Sequence, residues 1–208
     1  MLTDAHCHKV NPGDFRSVYN ILINDDAVTL PHGPHIYFSV GIHPWDAGII
    51  RSAWLDNIEI LLNFDKVIAV GECGMDKNSP VAIEKQLEVF ELQIKLSEST
   101  KRPMIIHCVG CYNELINLHK ALNPNQPWII HGFRGKPEMV LQLTRAGMYI
   151  SYGEKFNPDS VQATSIERIL VESDDSEIPL EEIYLAIATA KGCEVRELVA
   201  VNNLFGFE

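Results

Sequence analysis

Along this chain, short apolar runs rich in β-branched residues alternate with longer stretches in which apolar positions recur every three or four residues. The short runs predict eight strands: Leu2–His6, Ser17–Ile23, Ile36–Val40, Val67–Gly71, Met104–His107, Trp128–His131, Met148–Ser151 and Ile169–Ser173. The second also reads as the opening of a helix, but its β-branched content and the Asn-Asp-Asp turn after Ile23 favour a strand. The periodic stretches predict helices over Ile50–Leu62, Val81–Ser97, Tyr112–Leu122, Lys136–Ala146, Leu180–Lys191 and Glu194–Asn202. Pro137 falls in the first turn of the fourth helix and Gly147 just past its end, the order that helix termini favour.

A strand followed by a helix, repeated, indicates an α/β fold with a parallel sheet. The connections after the first two strands carry Pro12, Gly13, Pro31, Gly33 and Pro34 and read as loops. With 208 residues, the expectation is a trimmed (β/α) TIM-type barrel lacking one or two outer helices. No internal repeat or low-complexity linker interrupts the pattern, so a single barrel domain over residues 1–208 is expected.

The polar residues that close the apolar runs carry the chemistry. His6 and His8, Glu72, His107, His131 and Asp174 each follow one of them. Side chains alternate across a strand, so His6 and His8 share a side and can chelate one ion. A lone histidine at a strand end is more often a hydrogen-bonded core residue. Four imidazoles and two carboxylates gathered on one barrel rim have little structural purpose without a cation between them, which predicts a metallohydrolase. The set suffices for two divalent ions, and its mixed N/O character suits Zn, Mn or Fe without excluding Mg.

The formal charge of −11 and a pI near 5.1 repel polyanions, which counts against extended binding to a duplex but not against a nuclease whose metal ions invert the local field. Five cysteines without regular spacing fit reduced thiols and a cytoplasmic location better than a disulfide framework. Cys7 and Cys108 flank ligand candidates and read as small buried fillers. No secretory leader and no run approaching the ~18 apolar residues of a membrane span is evident, so no membrane partner is expected.

The motifs Asp4-Ala-His6-Cys7-His8, Gly41-Ile-His-Pro44, Gly71-Glu-Cys-Gly-Met-Asp76, Ile105-Ile-His-Cys108, Ile130-Ile-His-Gly-Phe133, Tyr149-Ile-Ser151, Glu172-Ser-Asp174 and Asn203-Leu-Phe205 resemble, in order, those of the TatD family of metal-dependent deoxyribonucleases. The resemblance spans nearly the whole chain. It implies a metal-dependent barrel in which His6, His8 and Asp174 hold one ion, His107 and His131 a second, and Glu72 bridges them. Asp4 would stand behind the ligands and orient a histidine. Members commonly carry an arginine where this chain has Val109, and their loops after Asp76 and Asp174 are longer.

His43 would contact substrate or brace the site. Lys77 and Arg134, just past ligand-bearing strand ends, are the candidate phosphate-binding groups, against a reading as solvated loop charge. Asp76 would cap the turn after it or support the site, and the run from Asp174 to Glu177 would be part ligand, part solvated loop. The expected activity is cleavage of phosphodiesters at single-stranded DNA ends by a metal-activated water, with Asp174 and Glu72 as catalytic residues. The alternatives are a metallohydrolase of the same fold acting on a small amide, lactone or phosphoester, and a non-catalytic metal-binding interaction protein.

Overall fold

The computed structural model of this protein describes residues 1–24, 30–199 and 204–207. Among these residues there are eight strands: β1 (Thr3–Cys7), β2 (Arg16–Leu22), β3 (Ile36–Gly41), β4 (Val67–Asp76), β5 (Met104–Val109), β6 (Trp128–Ile130), β7 (Tyr149–Tyr152) and β8 (Ile169–Val171). They pair in chain order and every pair is parallel. The ring is drawn shut where Cys7 bridges Asp174: the Asp174 N–H donates to the His6 carbonyl and the His8 N–H to the Asp174 carbonyl, both at 3.0 Å. The seam of the barrel is therefore made by the residues that carry the first histidine pair and the last aspartate.

Among the described residues seven α-helices pack outside: α1 (Ser52–Leu61), α2 (Ile83–Thr100), α3 (Tyr112–Leu122), α4 (Pro137–Arg145), α5 (Pro158–Ala163), α6 (Leu180–Lys191) and α7 (Val195–Leu198). Among the described residues no helix follows β1 or β2, as the proline- and glycine-bearing loops predict. Helix α5, absent from the sequence reading, is one and a half turns long and too short for a periodic signal; Asn157 caps it by accepting from the Asp159 and Ser160 N–H groups. The predicted final helix reaches past α7 to Asn202, which lies outside the described residues, as does Asn203.

The interior is layered by strand alternation. Val18, Tyr37, Ile105, Ile129 and Leu170 form an apolar floor with Phe205, against which Leu204 and Phe207 pack. Two residues further along stand Asn20 of β2, Ser39 of β3, His107 of β5 and, just past the end of β6, His131. A second apolar cluster lies between sheet and helices and includes Trp54, Phe90, Leu115, Trp128, Leu143 and Ile187. Oil below and polar groups above on the same strands place the site over the barrel mouth. No helix among the described residues is long and apolar enough to cross a membrane.

Candidate metal centre and active site

All six predicted ligands converge above the floor, but two reach it differently from the sequence pattern. β4 does not end at Gly71; it runs on to Asp76, so Glu72 sits inside the strand, where the register against β5 shifts between Val70 and Cys73. The shift needs glycines, since a Cβ at Gly71 would lie 2.5 Å from the Ile105 carbonyl oxygen and one at Gly74 2.1 Å from that of His107. β8 ends at Val171 rather than Ser173, and Asp174 stands beyond it in the left-handed region at φ 56°. An aspartate tolerates that conformation better than most residues, yet it is a strained setting of the kind found at functional sites.

Glu72 is the hub. Its Oε2 lies 3.6 Å from His6 Nε2 and 3.4 Å from His8 Nε2, while its Oε1 lies 2.8 Å from both His107 Nδ1 and His131 Nε2 and 3.4 Å from His43 Nε2. One carboxylate thus presents one oxygen to each of two histidine sets. Asp174 Oδ1 joins the first set, 3.9 Å from His6 Nε2 and 3.6 Å from His8 Nε2. The rings of His6 and His131 are 4.3 Å apart, so the two sets form one pocket.

The electrostatics follow from burial and crowding. Burial works against ionised Glu72, but the charge of His131 and the hydrogen bonds from the surrounding rings hold its carboxyl well below the usual range. Burial likewise works against protonated His131, and Glu72, backed by Glu172, outweighs it and lifts that ring well above its ordinary value. Burial, then the charge of His131, keeps His6 neutral well below its ordinary value. His8 is raised, chiefly by its hydrogen bond to Glu72. Burial and then Glu172 raise Asp174, which makes its carboxylate a better proton acceptor than a free one.

These donors fit a divalent cation. His6 is buried and neither ring nitrogen has a hydrogen-bond partner among the described residues. A neutral ring with a free lone pair in that position is costly unless something electrophilic meets it. The four distances between His6 or His8 and Glu72 or Asp174 run from 3.4 to 3.9 Å. Such spacings lie at or beyond the long end of hydrogen bonding and close to the ~3.4 Å between donors that share an ion at ~2.1 Å. The set of His43, Glu72, His107 and His131 is drawn tighter by hydrogen bonds to Glu72 Oε1.

Around the candidate ligands lies a supporting shell that the sequence disclosed only in part. Asp76 does both things expected of it: Oδ1 accepts from the Asn78 N–H at 2.7 Å, capping the turn, and Oδ2 lies 3.2 Å from His107 Nε2. Asp4 does not orient a histidine. It accepts from the N–H and hydroxyl of Ser173 and from Asn11, which fixes the loop that delivers Asp174, because the β1 register carries it to β8 rather than to a ring. Asn20 was missed; its Oδ1 accepts the Glu72 N–H at 2.7 Å, and the signal was a polar residue inside the apolar run of β2. Glu172, which the sequence shows only as a member of the Glu172-Ser-Asp174 motif, is wholly buried, accepts the Gly132 N–H and faces His131 Nδ1 at 3.4 Å. Gln86 and Gln93 of α2 bind both backbone groups of Asp76 and of Ile42, tying the helix to two rim segments.

The predicted substrate groups divide. His43 lies inside the cluster, 3.4 Å from Glu72. Lys77 is turned to Glu114 of α3 at 2.8 Å, which supports the reading as paired surface charge. Arg134 is exposed and lines a cleft of about 460 Å³ together with His107, Tyr112, His131 and Asp174. Cys7 and Cys108 are buried, as small fillers are. Glu177 is in solvent, paired with Lys9, while Asp174 faces the histidines.

With this geometry established, comparison with known proteins is decisive. The family described as TatD related DNase matches residues 16–181. The chain belongs to the TatD family. It is similar to the 3'-5' ssDNA/RNA exonuclease TatD of Citrobacter rodentium, 27% identical over 121 residues, covering 57% of this chain and 46% of that protein. It is also similar to the uncharacterized metal-dependent hydrolase YabD of Bacillus subtilis, 31% identical over 150 residues, covering 67% of this chain and 58% of that one. The TatD-family chain thus spans about half the length of the curated relatives it matches. The crystal structure of YJJV, a TatD homolog from Escherichia coli, superposes with a TM-score of 0.81 over 100% of this chain and 98% of its own at 17% identity, which shows the shared barrel fold.

Proposed function

We propose that this TatD-family chain is a divalent-metal-dependent hydrolase that cleaves phosphodiesters at single-stranded DNA ends. The observation that carries the reading is the division of Glu72, one oxygen toward His6 and His8 and the other toward His107 and His131. His6, His8 and Asp174 would hold one ion and His107 and His131 the second, with Glu72 shared. A bound pair supplies Lewis-acid polarisation of the phosphoryl group and a water acidified toward neutrality.

The chain's own residues do the rest. Asp174, raised by burial and facing both His6 and His8, takes the proton of the attacking water at its carboxylate. Asp76 holds the second nitrogen of His107, leaving Nδ1 directed at Glu72. Glu172, fixed by the N–H that Gly132 donates to it, faces His131 Nδ1 from behind. Arg134 at the cleft is the available phosphate contact, since Lys77 is engaged by Glu114. Short single-stranded ends suit a chain of net charge −11, because a free end enters a cleft without an extended basic surface. The names of the exonuclease relatives, which include RNA, support the same substrate class.

The test is cleavage of end-labelled single-stranded and duplex oligonucleotides by the protein loaded with Zn, Mn or Mg, beside a panel of small esters, amides and lactones. Shortening of the single strand from an end is the expected result. Turnover confined to the small substrates would replace the nuclease reading with that of a small-molecule metallohydrolase.

A further inference from the structure

We propose that Trp45 is a stacking platform for an unpaired nucleobase of the strand entering the cleft, an inference that rests on the nucleic-acid reading above. Trp45 is 50% exposed, an unusual setting for the largest amphipathic side chain. It is nonetheless held in place. Its indole N–H donates to Asp76 Oδ2 at 2.8 Å, and its backbone N–H donates to His43 Nδ1 at 3.3 Å. Asp76 Oδ2 is also the atom that faces His107, so the indole is separated from the candidate centre by a single carboxylate.

A ring fixed by its polar edge, with its face in solvent, loses little freedom when a base stacks on it. The charge distribution favours such a contact. With Lys77 paired to Glu114 and the chain at −11, long-range attraction of the phosphates is weak, which leaves a larger share of single-strand affinity to the bases. Stacking serves this role because every base has a π face, whatever the sequence.

Of the three tryptophans, Trp54 and Trp128 are only 3% and 1% exposed, so quenching by a bound strand reports on Trp45. The probe is a tetradeoxythymidylate with phosphorothioate linkages that resist cleavage, titrated into the metal-loaded full chain, with affinity measured in parallel by calorimetry. Saturable quenching is expected in the parent. Trp45→Phe, which keeps a ring but not the donor, should bind within about threefold of the parent, and Trp45→Ala on the order of tenfold more weakly. A strand of the same length with abasic sites should bind parent and Trp45→Ala alike.

Equal weakening by Phe and Ala would overturn the proposal and leave Trp45 as a brace for Asp76. So would unchanged strand affinity in Trp45→Ala accompanied by a drop in sedimentation coefficient, which would make this face a contact between copies of the chain. Cleavage of single-stranded DNA by a parent whose affinity ignores Trp45 refutes stacking alone; a parent that neither binds nor cleaves single strands refutes stacking and the nuclease reading together.

Discussion

Asp4 accepts both the N–H of Ser173, at 2.8 Å, and its hydroxyl, at 2.6 Å, across the barrel seam. The residue two before His6 thereby sets the residue before Asp174, and both are buried. Burial raises the Asp4 carboxyl from its ordinary 3.8 to about 7, against the pull of these hydrogen bonds.

The sign of the linkage follows. A folded-state pKa above the unfolded one means the protonated form favours the fold, so this contribution is complete below about pH 3.8 and is lost as pH rises to about 7. The change is on the order of 4 kcal/mol. In chelator-treated protein, urea midpoints should fall between pH 5 and pH 8, and Asp4→Asn should flatten that part of the profile. Parallel profiles for parent and variant would refute the assignment.

Replacing Glu72 with Gln keeps the shape but removes the charge that both histidine sets face. Free ion at about a hundred times its Kd for one site adds about 2.7 kcal/mol. For 208 residues this is a rise in Tm of roughly 5 to 10 °C. Zinc should produce that rise in the parent and little in Glu72→Gln, with bound metal measured by elemental analysis. Retention of the full metal content by Glu72→Gln would contradict its shared role.

Asp174→Asn preserves size while removing basicity. Turnover of a substrate cleaved by the parent should drop at least ~10²-fold, the low end for a general base, with circular dichroism unchanged. Near-parental turnover would eliminate Asp174 as proton acceptor.

Duplex affinity should be weak and its salt dependence shallow, equivalent to no more than about two or three phosphate contacts, given a net charge of −11 and Val109 in place of an arginine. Binding isotherms between 50 and 200 mM salt, roughly the range over which such slopes are read, measure this. Tight duplex binding with a steep slope would mean that a basic surface exists beyond Arg134.

The eight strands, six of the helices and six of the side chains that cluster at the barrel mouth were legible in the sequence, because strand and helix periods are local and the capacity to hold a metal belongs to residue types. Helix α5 escaped because six residues carry no period, and Asp4 was misassigned because nothing in Asp4-Ala-His6 says whether the carboxylate meets an imidazole or the far end of the barrel. What only the tertiary structure decided is how long-range closure disposes the candidate ligands. Pairing of Cys7 with Asp174 brings residues 167 positions apart into one pocket and holds Asp174 off its strand. The shifted register of β4 places Glu72 where its two oxygens part the histidines, and the alternation of β2 delivers Asn20 to its N–H. Those outcomes depend on register between strands distant in sequence, a quantity that no local pattern of apolar and polar residues encodes.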